Sequence, residues 1–544
     1  MPNTLAYIVL FSWPIVVIVL FRMLPVAAAL AWSIIGGYLL LPGQTGINLP
    51  MVPVIDKDGV PSMAAAVMCL IVAGGAAEAA RRRQRADAGQ AALGAPRSMQ
   101  PPKAIAETAL FGRTFGSMVL QGLVLLACAS IFLTVITNAR PVVFGPKIIP
   151  GLRLYDAVSV LANLMIALLP FFLGRRYLAT PESHVTLLRI FCIAGLGYSL
   201  LSLYEVRMSP QLNRMVYGFF PGSFQQQMRG GGFRPLVFLH HGLWLGIFTA
   251  MTVLSAAALW RHSMAEGKSK ADAAGAGDSK TTGGKTNGAT WLWAGAVLWL
   301  LVTLVLSHSI GALAIGILLL PVVLLFGVRG QLLLATIVAC TVLFYPMLRG
   351  TGLIPVDTVV SWAKSINEER AASLEFRLVN EDALLLRADE KPLAGWGSWG
   401  RNRIYSEDTG GKVTTTDGMW IITIGSWGWL GYISQFGLLT LPIFFLAYSR
   451  RKLDLSFATS GLALMLAANL MDMIPNATLT PLTWLVGGAL VGRVAVAAAT
   501  QAQPRGFVRR ERPSQLAQAR TADTPPQNAP QNRPPPRQPR RQLT

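Results

Sequence analysis

Arginine gathers in two stretches of this chain that lie between apolar runs. Residues 204–235 carry Arg207, Arg214, Arg229 and Arg234. Residues 349–418 carry Arg349, Lys364, Arg370, Arg377, Arg387, Lys391, Arg401, Arg403 and Lys412. Across the two stretches arginine outnumbers lysine by ten to three. A guanidinium is a planar fork that holds two oxygens of one phosphate, which a lysine ammonium cannot do. The pattern therefore suggests recognition of an anionic headgroup at a membrane boundary. The competing reading is two solvated loops whose arginines pair with local carboxylates.

Several shorter patterns sharpen that choice. In Arg229-Gly230-Gly231-Gly232-Phe233-Arg234 the glycines free the backbone to turn its N–H groups toward an anion, and arginines bracket them. The stretch closes on His240-His241-Gly242, so His241 joins the candidate binding set with Arg207, Arg214, Arg229, Arg234, Arg401 and Arg403. Residues 365–390 have helical propensity. There Arg377 and Glu381 stand at i, i+4 on one face with Leu384, either as an ordinary surface pair or as a carboxylate fixing the guanidinium for phosphate. Pro392-Leu393-Ala394-Gly395-Trp396-Gly397-Ser398-Trp399-Gly400 predicts a tight, non-helical turn. Its Trp396 and Trp399 could be platforms for sugar rings or interfacial anchors. Asp417-Gly418 directly precedes a long apolar run. Asp417 is then either a helix N-cap or a general base. His308, between two apolar runs, reads as a satisfied interfacial residue.

No metal chemistry is indicated. Cys69, Cys128, Cys192 and Cys340 each lie inside an apolar run without CxxC spacing, and the five histidines form no ligand motif. Neither a metal nor a cofactor is expected.

These residues need elements to hold them, and composition names the kind. Of 544 residues, 53% are hydrophobic and 13% charged, and the mean hydropathy is +0.48. Soluble chains carry about 25% charged residues. A soluble multidomain enzyme is excluded, and a polytopic, all-α membrane protein is expected. With about 20 apolar residues per span, spans are predicted near 5–21, 24–41, 62–80, 116–136, 155–174, 186–203, 236–258, 290–307, 310–327, 331–348, 419–447, 456–471 and 482–499. The connections holding Arg22, Arg81–Arg85, Arg175–Arg176, 261–289, Arg329, Arg450–Lys452 and the tail collect 29 Lys/Arg when Arg189, at the start of the 186–203 span, is counted with them, against 17 on the other side. Positive-inside logic puts the first set in the cytoplasm, with both Arg-rich loops outside. The first run lacks a basic leader and a cleavage site, so no cleaved signal peptide is expected.

The chain then divides into N-terminal spans (1–260) with exterior loop 204–235, a disordered cytoplasmic linker (261–289), C-terminal spans (290–499) with exterior loop 349–418, and a disordered basic tail (500–544). The net charge of +21 fits topology and anionic lipid; no nucleic-acid partner is expected.

Arg377, Glu381, Pro392-Leu393-Ala394-Gly395-Trp396-Gly397, Asp417-Gly418 and Gly428-Trp429-Leu430-Gly431, with the Ser309-Ile310-Gly311-Ala312 turn, resemble the O-antigen ligase/polymerase superfamily. The likeness covers about residues 300–450 and is looser over 200–245. It implies a GT-C-like helical bundle in the bacterial inner membrane with its active site facing the periplasm. It further implies an undecaprenyl-diphosphate-linked oligosaccharide as donor and an acceptor glycan or glycolipid. Membrane lipids and other polysaccharide-assembly proteins complete the implied partners. Transfer without metal or cofactor, inversion of the anomeric centre and arginines on the diphosphate are also implied. Ligases carry a His-Asn pair where Asp417-Gly418 stands, which favours an O-antigen or exopolysaccharide polymerase over a ligase to lipid A core. The rival class is a transporter or flippase of lipid-linked saccharide, which needs charges within spans; here they sit in the loops.

Overall fold

The computed structural model describes residues 1–47, 53–91, 115–229, 231–274, 279–353, 355–366 and 368–502. The first half of the chain folds into α1 (Thr4–Met23), α2 (Val26–Leu40), α3 (Gly59–Ala91), α4 (Phe115–Thr137), α5 (Leu154–Tyr177), α6 (Pro181–Met208), the short α7 (Leu212–Tyr217) and α8 (Gly242–Ala274). The second half supplies α9 (Ser279–Leu306), α10 (Ile310–Leu325), α11 (Val328–Gly350), α12 (Val356–Ile366), α13 (Glu368–Asp389), α14 (Met419–Ser449), α15 (Phe457–Asp472) and α16 (Pro481–Ala502). Among the described residues, strands are confined to three antiparallel hairpins: β1 (Gly46–Ile47) with β2 (Ile55–Asp56), β3 (Val142–Phe144) with β4 (Lys147–Ile149), and β5 (Met228–Arg229) with β6 (Gly232–Phe233).

Seven of these helices are long and apolar enough to cross a membrane, and six shorter apolar helices accompany them. Each predicted span falls on one of the thirteen. They are apolar around most of their circumference, as helices must be when both protein and lipid flank them. The protein is a membrane protein. Its core lies around α15 and the first part of α8, up to Leu259, whose side chains are buried almost throughout. Small residues set the close crossings: a Cβ on Gly461 would lie 2.3 Å from that of Ala258, and one on Gly246 2.6 Å from Ser309 Oγ.

The linker expected to be disordered is helical at both ends, because α8 runs on to Ala274 and α9 begins at Ser279. An existing span supplies the costly helix nucleus, so further turns propagate from it. Residues 275–278 lie outside the described residues, as do 92–114. Residues 501–544 form a unit of their own. Of it only the end of α16 is described, and the expected disorder of the tail falls on 503–544, which are not.

One helix is interrupted. Gly428 in α14 has φ 65° and ψ −168°, far from helical values. Only glycine adopts such a backbone at little cost. The break separates a short segment beginning at Met419 from the longer remainder that ends at Ser449.

Candidate functional site

The break in α14 is filled by the glycine-rich stretch that follows α13. Trp429 N donates to Pro392 O at 2.7 Å and Leu430 N to Leu393 O at 3.3 Å. In return, Trp396 N donates to Gly425 O and Gly397 N to Ser426 O, both at 2.8 Å. Backbone groups opened by the break therefore find partners inside the protein, which is the condition for irregular backbone among spans. The end of α4 anchors the other side of the stretch. Asn138 Nδ2 donates to Gly395 O at 2.9 Å, Thr134 Oγ1 to Ala394 O at 2.5 Å, and Lys391 Nζ to Asn138 Oδ1 at 2.8 Å. The turn predicted from the glycines is thus a plug, docked on Gly428-Trp429-Leu430.

This docking sets the roles of the neighbouring candidates. Arg401 is 1% exposed. Its guanidinium donates to Trp396 O at 3.0 Å, Pro150 O at 2.6 Å and Arg140 O at 3.0 Å. Those bonds occupy it as a clamp between the plug and the β3–β4 hairpin, which corrects its assignment to a bound diphosphate. Trp396 donates to Arg387 O at 2.7 Å, and the Arg387 guanidinium lies 3.3 Å from its ring centroid. One face of the proposed platform is therefore covered. Trp399 is 58% exposed and remains open to a ligand. Arg403 Nη2 reaches Thr416 Oγ1 at 3.4 Å, on the segment leading to Asp417.

Ahead of α14 lies a group of charges carried mainly by α13. Arg377 Nε is 3.4 Å from Asp417 Oδ2. The N-cap of α14 is Gly418, without a side-chain cap. Asp417 is consequently no N-cap, and it is the carboxylate that holds Arg377. Glu381, the expected holder, instead accepts from Trp420 Nε1 at 3.4 Å and faces Arg349 Nε at 4.0 Å. Arg349, which sequence reading left without a role, also bridges to Asp382 Oδ1 at 2.6 Å. Burial pushes the Glu381 carboxyl up to about 7, outweighing the Trp420 hydrogen bond and the Arg349 charge, while Asp382 and Asp417 add to the rise. Its Oε2 is buried and accepts no hydrogen bond among the described residues.

A cavity of about 210 Å³ opens on Arg377 and Glu381. Its remaining lining is Tyr345, Val356, Leu374, Leu378, Ile474 and Pro475. A mostly apolar hollow with one cation and one carboxyl at its wall suits an amphipathic ligand.

The first Arg-rich loop comes to the same place. Arg234 is buried and its Nε donates to Ser309 Oγ at 3.1 Å. Gly242 must be glycine here, since a Cβ would lie 2.6 Å from Arg234 Cδ. His241 is half-buried, and burial lowers its pKa to about 4, with the charges of Arg234, Arg229 and Arg377 acting in the same direction. Arginines from two loops thus act on one imidazole. Arg234 and Arg377 also act together on Asp472, at the end of α15, whose carboxylate accepts from Asn476 Nδ2 at 2.9 Å and Thr478 Oγ1 at 2.7 Å. Asp472 was missed as a partner of the site because it closes an apolar run; the Asn-Ala-Thr after it was the available signal. Arg229 is half-buried and its Nε approaches Gln226 O at 3.5 Å. Arg207 and Arg214 are exposed, and no described contact draws them into the cluster.

A buried carboxylate holds this loop. Glu205 accepts from Leu212 N and Leu236 N at 2.9 Å and from Val237 N at 2.7 Å. Val237 takes φ 53°, a costly conformation for a β-branched residue. The strain sits between Arg234 and His241, where Glu205 fixes the backbone.

Comparison with known protein families finds no match, and comparison with curated proteins finds none.

Proposed function

We propose that the protein is a glycosyltransferase of thirteen membrane spans whose two Arg-rich loops face the periplasm of a bacterial inner membrane. Its donor is a glycan on undecaprenyl diphosphate, and it extends or transfers that glycan onto an acceptor hydroxyl. The observation that carries this reading is that the charges of Arg234, Arg229 and Arg377, from both loops, act on His241, while Arg377 also lines a cavity with mostly apolar walls. A diphosphate needs several guanidiniums, and a lipid tail needs an apolar wall. The resemblance to the O-antigen ligase/polymerase superfamily shares Arg377 with this cluster and otherwise rests on Glu381, Asp417-Gly418, the Ser309–Ala312 turn, the plug and the α14 break.

The chemistry assigned to the site is a single displacement. The acceptor oxygen attacks the anomeric carbon, the bond from that carbon to the phosphate oxygen breaks, and its electron pair leaves with the diphosphate. Arg377, Arg234 and Arg229 offset the charge that develops there. Glu381 takes the acceptor proton: it lines the cavity, and its carboxyl changes charge near neutral pH. Asp417, already paired with Arg377, orients that guanidinium. Attack opposite the leaving group inverts the anomeric centre. Asp417-Gly418 in place of a His-Asn pair favours polymerisation. The lipid-linked glycans of a deletion strain test this: accumulated single repeats support a polymerase, complete polymer left on carrier lipid a ligase, and an unchanged profile neither.

A further inference from the structure

Helix α13 has two apolar faces. One carries Leu384 and Ala388, which are buried within the protein. The other carries Phe376, Val379 and Leu386 at spacings of three and seven, one stripe along the helix. These three are 56%, 62% and 72% exposed. Trp362 on α12 and Leu353 before it add 68% and 71% exposure. All five lie outside the apolar helices that can cross a membrane. Large apolar side chains grouped on one surface of a soluble domain would mark an interface.

The surface beside the stripe identifies the occupant. Asp382, the polar residue within the stripe, is bound to Arg349 at 2.6 Å, and a Cβ on Gly350 would touch Leu385 at 3.7 Å. Both contacts fasten α13 to the last turn of α11. On α11, Leu333, Ile337, Phe344 and Met347 form an exposed apolar face, between 49% and 57% exposed. That helix is among those able to cross a membrane, so its open apolar face meets lipid. Arg349 and Gly350 are turned away from that face, and they seat α13 where α11 leaves the membrane. Lys364 and Glu375 pair at 2.9 Å on the α12–α13 hairpin, which fixes α12 against α13.

We propose that the α12–α13 hairpin lies on the bilayer surface, with Phe376, Val379, Leu386, Trp362 and Leu353 among the acyl chains. The cavity at Arg377 would then open at the level of the membrane, where a lipid-borne ligand enters sideways. The inference rests on exposed apolar area and on the bond to α11, not on the glycosyl-transfer reading.

Spin labels test it in phosphatidylglycerol–phosphatidylethanolamine vesicles. The full-length protein, with its four cysteines replaced by alanine, carries Phe376→Cys, Val379→Cys, Leu386→Cys or, as a polar control, Glu390→Cys. Labels at the first three should be relaxed more by oxygen than by a water-soluble nickel chelate, and the control should show the reverse order. Nickel dominance at all four sites would overturn the proposal, as would spin–spin broadening lost on dilution with unlabelled protein, which would assign the face to a second copy. Should the cysteine-free protein aggregate, benzoyl-phenylalanine at Phe376 in the native chain gives an independent reading. Lipid adducts support the proposal; adducts to protein alone overturn it.

Discussion

Replacing Gly428 with alanine should separate the plug from the helix break. The new Cβ would lie 2.3 Å from the Leu393 carbonyl carbon and oxygen and 2.5 Å from Ala394 N. These are backbone atoms in a stretch held by hydrogen bonds from Leu430 N to Leu393 O and from Trp429 N to the adjacent Pro392 O, so no side chain can rotate away. The residue must also leave φ 65°, ψ −168°, or remain there at a cost of about 1–3 kcal/mol. Overpacking adds a further ~1–3 kcal/mol. Stability should fall by about 2–6 kcal/mol, a large share of a typical fold's margin. Thermal unfolding of purified Gly428→Ala in detergent checks this, with Gly437→Ala as comparison. At Gly437 a Cβ meets only the tip of the Leu123 side chain, at 3.1 Å, so its Tm should stay near that of the native protein. A protease should also cut the 391–418 loop of Gly428→Ala faster. Equal melting temperatures for Gly428→Ala and the native protein would refute the account of the plug.

Five further outcomes are expected. Arg401→Lys should lower Tm by several degrees without rescue by its charge, because an ammonium cannot reach carbonyls on three segments; a Tm within error of native would return Arg401 to the ligand candidates. Asp417→Asn should raise KM for the lipid-linked donor more than it lowers kcat, since it loosens Arg377 and removes no cap; a loss confined to kcat would make Asp417 the base. The transfer rate should rise with pH through about 7 as Glu381 loses its proton, and Glu381→Gln should abolish the rate rather than merely shift the profile. The same group makes the native state bind a proton that the unfolded chain has released, so its contribution to stability should decline as pH rises from its ordinary 4.5 to about 7; Glu381→Gln should flatten that slope in chemical denaturation. Glu205→Gln should cost about 1–3 kcal/mol, because an amide group would face backbone N–H donors, with Tm as the readout.

The helices were legible in the sequence because each apolar run is long enough to dictate its own structure. The α13 helix was equally legible, from charged and apolar residues at helical spacing. Partner choice was not. Arg377 and Glu381 satisfy the i, i+4 rule, yet Arg377 turns to Asp417 and Glu381 to Trp420 and Arg349. An exposed helical pair gains only tenths of a kcal/mol, so packing against α14 and α11 overrides it. The Gly-rich motifs announced irregular backbone but not that Gly395 packs on the Ser426–Trp427 backbone and Gly428 on the Leu393–Ala394 backbone, partners more than 30 positions away in the chain. Arg401 misled for a related reason. A guanidinium that binds phosphate and one that binds carbonyl oxygens have the same sequence signature, and only burial tells them apart.

The central claim is that the Arg cluster serves transfer of a glycan from a lipid diphosphate. Purified protein in proteoliposomes, supplied with undecaprenyl-diphosphate-linked repeats, tests it most directly. The account predicts longer lipid-linked glycan and free undecaprenyl diphosphate in step with each other, both lost in Arg377→Ala and in Arg234→Ala. Glycans of unchanged length that instead move from one leaflet to the other would contradict it and make the protein a transporter.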